Sequence, residues 1–267
     1  MFALVRLSAE LAEQLIAVEL GGEDAVHQAR TRVRRLRSVL GVYRRAFNKA
    51  AAKELSARLK SLGDALGRAR DLEVRATALE NLLEAQTTPD VMDAVLSFAE
   101  EARREFEAAE RVLVARLQGR SHRILLADVQ EFAARPPLRK RAEKHGDELI
   151  EAALARALDR VRIPEPTTLD ERHRLRKAAR RLRYAAEAVA DTRDVTELAA
   201  EAEAVQDAYG DNRDGTLLAL YLRERSSATE LSASAIAGIA RLAAEVEAAA
   251  TASLAEAEPA LDALRSS

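Results

Sequence analysis

The 267 residues carry 42 basic and 44 acidic side chains, a formal net charge of −2, with 3% aromatic residues and no cysteine. This excludes disulfides, thiolate metal centres and cysteine nucleophiles, and the dominance of Ala, Leu, Glu and Arg over Gly and Pro favours long helices over sheets. No basic-then-apolar leader opens the chain, and charges interrupt every stretch approaching the ~20 apolar residues of a membrane span, so a cytoplasmic protein without membrane association is expected.

Helical periodicity runs through most of the sequence. Breaks are predicted at Gly21-Gly22, at Gly63 and Gly67, at Thr87-Thr88-Pro89, Gly119, Pro136-Pro137 and Gly146, and over 163–168 and 210–215. They divide the chain into about ten or eleven helices. Asp24 is placed to cap the helix carrying His27, Pro89-Asp90 to start a long helix over 91–117, and Thr168 or Asp170 to cap the helix carrying His173. Regular apolar spacing over 228–257 predicts a terminal helix.

The near-neutral total conceals a segregated charge. Residues 26–45 hold seven Arg and no acid, and residues 172–186 hold six Arg, one Lys and no acid. These segments take 14 of the 42 basic residues, leaving 28 against all 44 acids, a balance of −16. An acidic body therefore carries two cationic elements.

The two elements are copies of one another. H-Q-A-R-T-R-V-R-R-L-R at 27–37 aligns with H-R-L-R-K-A-A-R-R-L-R at 173–183, and D-A-L-G-R-A-R-D at 64–71 aligns with D-A-Y-G-D-N-R-D at 207–214. The offsets, 173 − 27 = 146 and 207 − 64 = 143, agree within a short loop change. The repeat predicts two four-helix-bundle-like halves, 1–133 and 134–267, related by a pseudo-two-fold axis and packed as a single domain over 1–267.

At about 100° per residue, His27, Arg30, Arg34 and Arg37 share one face, backed by an apolar stripe of Ala29, Val33, Leu36 and Leu40. The second copy places His173, Arg176, Arg180 and Arg183 in front of Leu175, Ala179, Leu182 and Ala186, with Tyr184 beside the basic face. Three readings of such a stripe stand open: a solvated surface, cations neutralised by acids on neighbouring helices, or an anion-binding face. A solvated helix usually intersperses Glu with Arg to gain i,i+4 pairs of roughly 0.2–0.5 kcal/mol each, and these stripes keep the repulsion instead. Guanidinium groups bind phosphate oxygens as two-pronged forks and stay charged near neutrality. Successive side chains on one face rise ~4.5–6 Å, which suits a ligand with repeating negative charge. The histidines, flanked by Arg that repel a cation, are expected to donate to phosphate, partly protonated beside a polyanion, rather than to hold a metal. His122 and His145 lack this context and are read as packing or surface residues. No activated nucleophile or catalytic carboxylate pattern is found, so no enzyme and no cofactor are expected.

V-H-Q-A-R-T-R-V-R-R-L-R-S-V-L at 26–40 and H-R-L-R-K-A-A-R-R-L-R-Y at 173–184 resemble the two signatures of the CHAD family, the conserved histidine α-helical domain. The resemblance implies helical-bundle halves, a basic central cleft or pore, inorganic polyphosphate as partner, and association with polyphosphate granules. Carried over by motif position, the contacts are His27, Arg30, Arg34, Arg35 and Arg37 in one half and His173, Arg176, Arg180, Arg181 and Arg183 in the other, with Lys177 and Tyr184 beside them added to the expected site. Arg70 and Arg213 of the downstream motifs join them. The family's second downstream motif commonly reads L-G-x-x-N-D, whereas this chain has Tyr209 for the Leu and Arg213 for the Asn, which either adds a cation or changes packing. Asp71 and Asp214 either orient motif arginines or cap helices. The E-x-E-x-K signature of the CYTH domain often fused to the family is absent, so the resemblance implies a stand-alone domain without polyphosphatase or cyclase activity. The alternative partner is nucleic acid, against which stand the lack of interleaved aromatic residues and the acidic body.

Overall fold

Small and apolar residues recur at spacings of three and four along nearly the whole chain, and each such run is a helix. The protein's structure, a computed structural model, describes residues 2–266. The described residues form α1 (Phe2–Glu19), α2 (Ala25–Val42), α3 (Lys49–Glu84), α4 (Pro89–Leu117), α5 (Arg120–Ala134), α6 (Lys140–Lys144), α7 (Gly146–Leu158), α8 (Leu169–Glu187), α9 (Thr196–Ala228), α10 (Ala233–Ala252), a 3-10 turn (Ser253–Ala257) and α11 (Glu258–Ser266). The expected all-α class is observed. The described residues contain no strand, only an isolated bridge between Phe47 and Leu138. No described helix is long and apolar enough to cross a membrane.

Two predicted interruptions are absent. Gly63 and Gly67 lie inside the 36-residue α3, and residues 210–215 lie inside the 33-residue α9. A helical glycine costs about 1 kcal/mol against alanine, but here the missing side chain admits a neighbour. A Cβ at Gly63 would stand 3.1 Å from Val33 Cγ1, and one at Gly215 would stand 2.7 Å from Ala250 Cβ.

The caps follow the sequence in two cases out of three. Pro89 opens α4, and Thr168 forms a capping box with Glu171, whose amide donates to Thr168 Oγ1 at 3.2 Å while its carboxylate accepts from the Thr168 amide at 3.0 Å. Asp24 occupies the position before α2 but does not cap it. Its backbone is left-handed (φ 53°), which turns the carboxylate away from the first amides; it accepts from Gln28 Nε2 at 2.8 Å and lies 3.5 Å from Arg70 Nη1.

Each half repeats one order: a leading helix (α1, α7), a basic helix (α2, α8), a long helix (α3, α9) and a helix returning along it (α4, α10), each packed on the one before. One apolar cluster fills much of the first half and extends to Ala185 and Ala186 of α8 and to Val189 just beyond it; a second lies between α8, α9 and α11. The third unites the far ends of α3 and α4 with α9 and α10 around Leu79, Phe98, Leu222 and Ile239. Buried apolar surface thus crosses the 133/134 boundary at both ends. The two basic helices also meet directly, and buried Tyr43 donates its hydroxyl to the Ala185 carbonyl at 2.7 Å.

Candidate functional site

The apolar stripes predicted for α2 and α8 are buried throughout, so the basic faces are fixed by packing. His27, Arg30, Arg34 and Arg35 of α2 and Arg176, Arg183 and Tyr184 of α8 line one cleft of about 850 Å³, together with Arg70 of α3 and Arg213 of α9. The other sequence-predicted residues do not line its wall. Arg180 has Arg34, Arg176 and Arg30 as charged neighbours. His173 lies beside Lys177, Arg213, Arg176 and Arg180, whereas Arg181 lies beside Arg160 and Arg37.

The downstream motifs hold these arginines in place. Arg30 donates to Asp71 at 2.9 Å and lies over Gly67, 3.7 Å from where a Cβ would stand. Arg176 lies over Gly210 in the same way, at 3.2 Å. Asp71 and Asp214 stand within long helices, so neither caps one. Asp71 orients Arg30, while Asp214 accepts from Arg213 at 3.0 Å and its negative charge acts on Arg176.

Neighbouring acids neutralise part of each row. Arg35 lies 3.1 Å from Glu187; Arg183 lies 2.8 Å from Glu187 and 2.6 Å from Glu203; Arg32 lies 3.1 Å from Glu10 and Arg70 lies 2.9 Å from Glu73. Arg34, Arg37, Arg176, Arg180 and Arg181 have no ion pair among the described residues, and the Nε atoms of Arg34, Arg35, Arg37 and Arg176 are buried without a hydrogen-bond partner. Burial, and then the cations around it, pushes Arg180 down to about 10. Burial lowers Arg34 and Arg176 as well, opposed by Tyr184 at Arg34 and by Asp214 and Asp207 at Arg176. The Tyr184 ring also receives the guanidinium groups of Arg35 at 5.4 Å and Arg183 at 5.7 Å. Burial first, then Arg70 for His27 and Lys177 for His173, lowers both imidazoles below their ordinary value.

Sequence reasoning did not single out Arg75 and Tyr221, which line the cleft with the guanidinium 4.7 Å over the ring. The signal was present, since Arg75 stands one helical turn beyond Asp71. Glu203, Asp207, Asp214 and Glu224 give the same cleft an acidic wall, and Leu217, Leu218 and Leu220 an apolar one. His122 is a buried packing residue whose imidazole burial lowers, and exposed His145 lies 3.2 Å from Glu148. Among the described residues no group of three or more His, Asp or Glu is placed to hold a metal ion.

The profile of the CHAD domain matches residues 6–223, most of the chain. The chain belongs to the CHAD family. Two solved structures share the fold of this CHAD protein: PptA from Streptomyces chartreusis (TM-score 0.80, 17% identity, 97% of this chain and 96% of that one) and the CHAD domain from the plant Ricinus communis (TM-score 0.71, 21% identity, 98% and 90%). Two uncharacterized proteins of Mycobacterium tuberculosis, Rv2226 and MT2285, are each 27% identical over 237 residues, covering 84% of this chain. The chain spans about half the length of these curated relatives, 45% in both cases. Helices α10 and α11 lie beyond the matched CHAD segment and pack against α9. Where this chain departs from the family's second downstream motif, Tyr209 is buried in the second-half core and Arg213 lines the cleft, so the one change alters packing and the other adds a cation.

Proposed function

We propose that this CHAD protein binds inorganic polyphosphate in the cleft between α2 and α8, and that this binding targets it to polyphosphate granules or organises them. The observation that carries the reading is the cluster of Arg34, Arg176 and Arg180. These guanidinium groups from both halves are partly buried and form no ion pair among the described residues; Arg34 and Arg176 act on Arg180, and only Arg176 feels nearby carboxylates, Asp214 and Asp207. Like charges brought together out of water are destabilising unless an anion joins them. Rows rising ~4.5–6 Å per step from two helices suit a chain of phosphates better than one phosphate. Family membership supports the identity of the anion, since the CHAD domain is related to polyphosphate binding. His27, Arg30, Arg35, Arg183 and Tyr184 complete the contact surface of the proposed site; Arg70 and Arg213 extend it, and His173 and Lys177 flank it. The role is binding rather than catalysis.

Nucleic acid is the rival polyanion. Single strands are held by stacking on exposed aromatic rings, yet Tyr184 is buried and Tyr221 is covered by Arg75. The acidic wall also disfavours a bulky strand. The deciding experiment replaces Arg34 and Arg180 together by Glu and measures affinity for long-chain polyphosphate and for single- and double-stranded DNA at matched salt. We expect wild type to prefer polyphosphate, and the variant to lose about 100-fold or more, ~2.7 kcal/mol, with an unchanged circular dichroism spectrum. Unchanged affinity, or a preference for DNA, refutes the reading.

A further inference from the structure

Under the 146-residue offset of the repeat, Arg35 corresponds to Arg181, Arg37 to Arg183, and Gly41 to Glu187. In one copy Glu187 is the counter-ion of two arginines, lying 3.1 Å from Arg35 and 2.8 Å from Arg183. In the other copy the partners Arg181 and Arg37 again neighbour each other, but the acid's place is taken by Gly41. Gly41 is exposed, and no atom lies within 4 Å of where its Cβ would stand. Arg37 and Arg181 form no ion pair among the described residues, and Arg37 Nε is buried without a partner.

More cations gather at this opening. Gly41 and Val42 at the end of α2, Ala153 and Ala157 of α7, and the arginines Arg44, Arg45, Arg156 and Arg160 line a small solvent-open hollow of about 20 Å³. Among the described residues none of these four arginines has an acidic partner, although the body of the protein is acidic and most cleft arginines have found one. The charges acting on Arg156 are Arg45, Arg44 and Arg160, and those acting on Arg181 are Arg160 and Arg37, all cations. Arg160 thus belongs to both groups and joins the motif pair to the cavity.

We propose that Gly41 marks a second oxyanion site, outside the cleft, where a phosphate group takes the place that the Glu187 carboxylate holds in the other copy of the repeat. Arg37 and Arg181 hold the anion from the seam, and Arg44, Arg45, Arg156 and Arg160 surround it. The guanidinium fork accepts phosphate and carboxylate in the same two-pronged geometry, which is why one anion substitutes for the other. The ligand class is a small phosphate-type oxyanion, either free or as part of a longer chain. The site is independent of what fills the cleft.

Pyrophosphate is the probe, and the thermal midpoint the readout, in wild type, in the cleft variant Arg34→Glu/Arg180→Glu, and in Gly41→Glu and Arg156→Gln/Arg160→Gln each made in the cleft-variant background, so that the cleft cannot answer for the second site. Pyrophosphate in large excess is expected to raise the midpoint of wild type and of the cleft variant by several degrees. Gly41→Glu supplies the missing carboxylate, so its midpoint starts higher, by roughly 2–4 °C, and no longer responds. Arg156→Gln/Arg160→Gln also loses the response and decides the matter alone should Gly41→Glu fail to fold. No pyrophosphate shift in wild type, loss of the shift in the cleft variant, or an undiminished shift in either Gly41-site variant overturns the assignment. Long-chain polyphosphate added to the cleft variant separates the sources: a rise shows that chain segments reach the site, and no rise restricts it to small free anions. Failure of the cleft reading is read separately, as unchanged long-chain affinity in Arg34→Glu/Arg180→Glu.

Discussion

At the scale of single residues, the histidines and the arginines divide the work. Arg180, pushed down to about 10 by burial and the cations around it, is still charged at pH 8. The pH-sensitive groups are His27 and His173. Both have pKa values depressed on folding, so the unfolded chain takes up their protons first; their contribution to stability is whole above about 6.5 and is lost as pH falls through the folded-state values. A polyanion reverses the sign, because it favours the imidazolium and binding then takes up protons. Polyphosphate affinity is therefore expected to rise as pH is lowered from 8 to about 5.5, by up to ~10-fold for each unit by which the ligand raises a histidine. His27→Gln should flatten that rise in a titration at constant ionic strength, and a flat wild-type profile would remove the histidines from the site. The residue types of the cleft were legible from the sequence; their pairing was not. Arg35 meets Glu187 152 residues away, and no local pattern distinguishes it from Arg34, one position earlier and unpaired.

At the scale of elements, the two basic helices were legible because their periodicity is local: an apolar stripe every three or four residues fixes which side is buried. The long helices α3 and α9 were misread because glycine has two meanings that only tertiary contact separates. Gly67 and Gly210 are the points where Arg30 and Arg176 lie on the neighbouring helix, so each glycine serves the site and not a turn. Gly210→Ala tests this through two readouts that move in opposite directions. The substitution raises helix propensity by about 1 kcal/mol, and its Cβ, 3.2 Å from Arg176 Nε, forces the guanidinium to shift. The expected outcome is an unchanged or higher thermal midpoint with polyphosphate affinity reduced several-fold. Gly67→Ala, with 3.7 Å available, is expected to lose less. Equal affinity in Gly210→Ala and wild type would show that the position of Arg176 does not matter for binding.

At the scale of the whole molecule, the repeat brings the cationic rows of an otherwise acidic chain to one seam. The halves are joined at their far ends by apolar packing around Phe98 and Leu222 and along the seam by α2 against α8, so the repulsion among Arg34, Arg176 and Arg180 is held in place by contacts elsewhere. A protein tuned for stability alone would not keep it. Methionine matches the stem of arginine, carries no charge and suits a partly buried seam. Arg34→Met/Arg180→Met is therefore expected to melt higher than wild type without ligand, by ~2–4 °C for each kcal/mol of repulsion removed. Wild type should recover the difference when an anion joins the rows. Long-chain polyphosphate at about 100 times its Kd adds ~2.7 kcal/mol to whichever protein binds it. The order of midpoints should then invert, with liganded wild type above the Met variant and the variant nearly unmoved, in paired melts with and without polyphosphate. A Met variant that melts lower than free wild type would mean that the arginines stabilise the seam by themselves and need no anion.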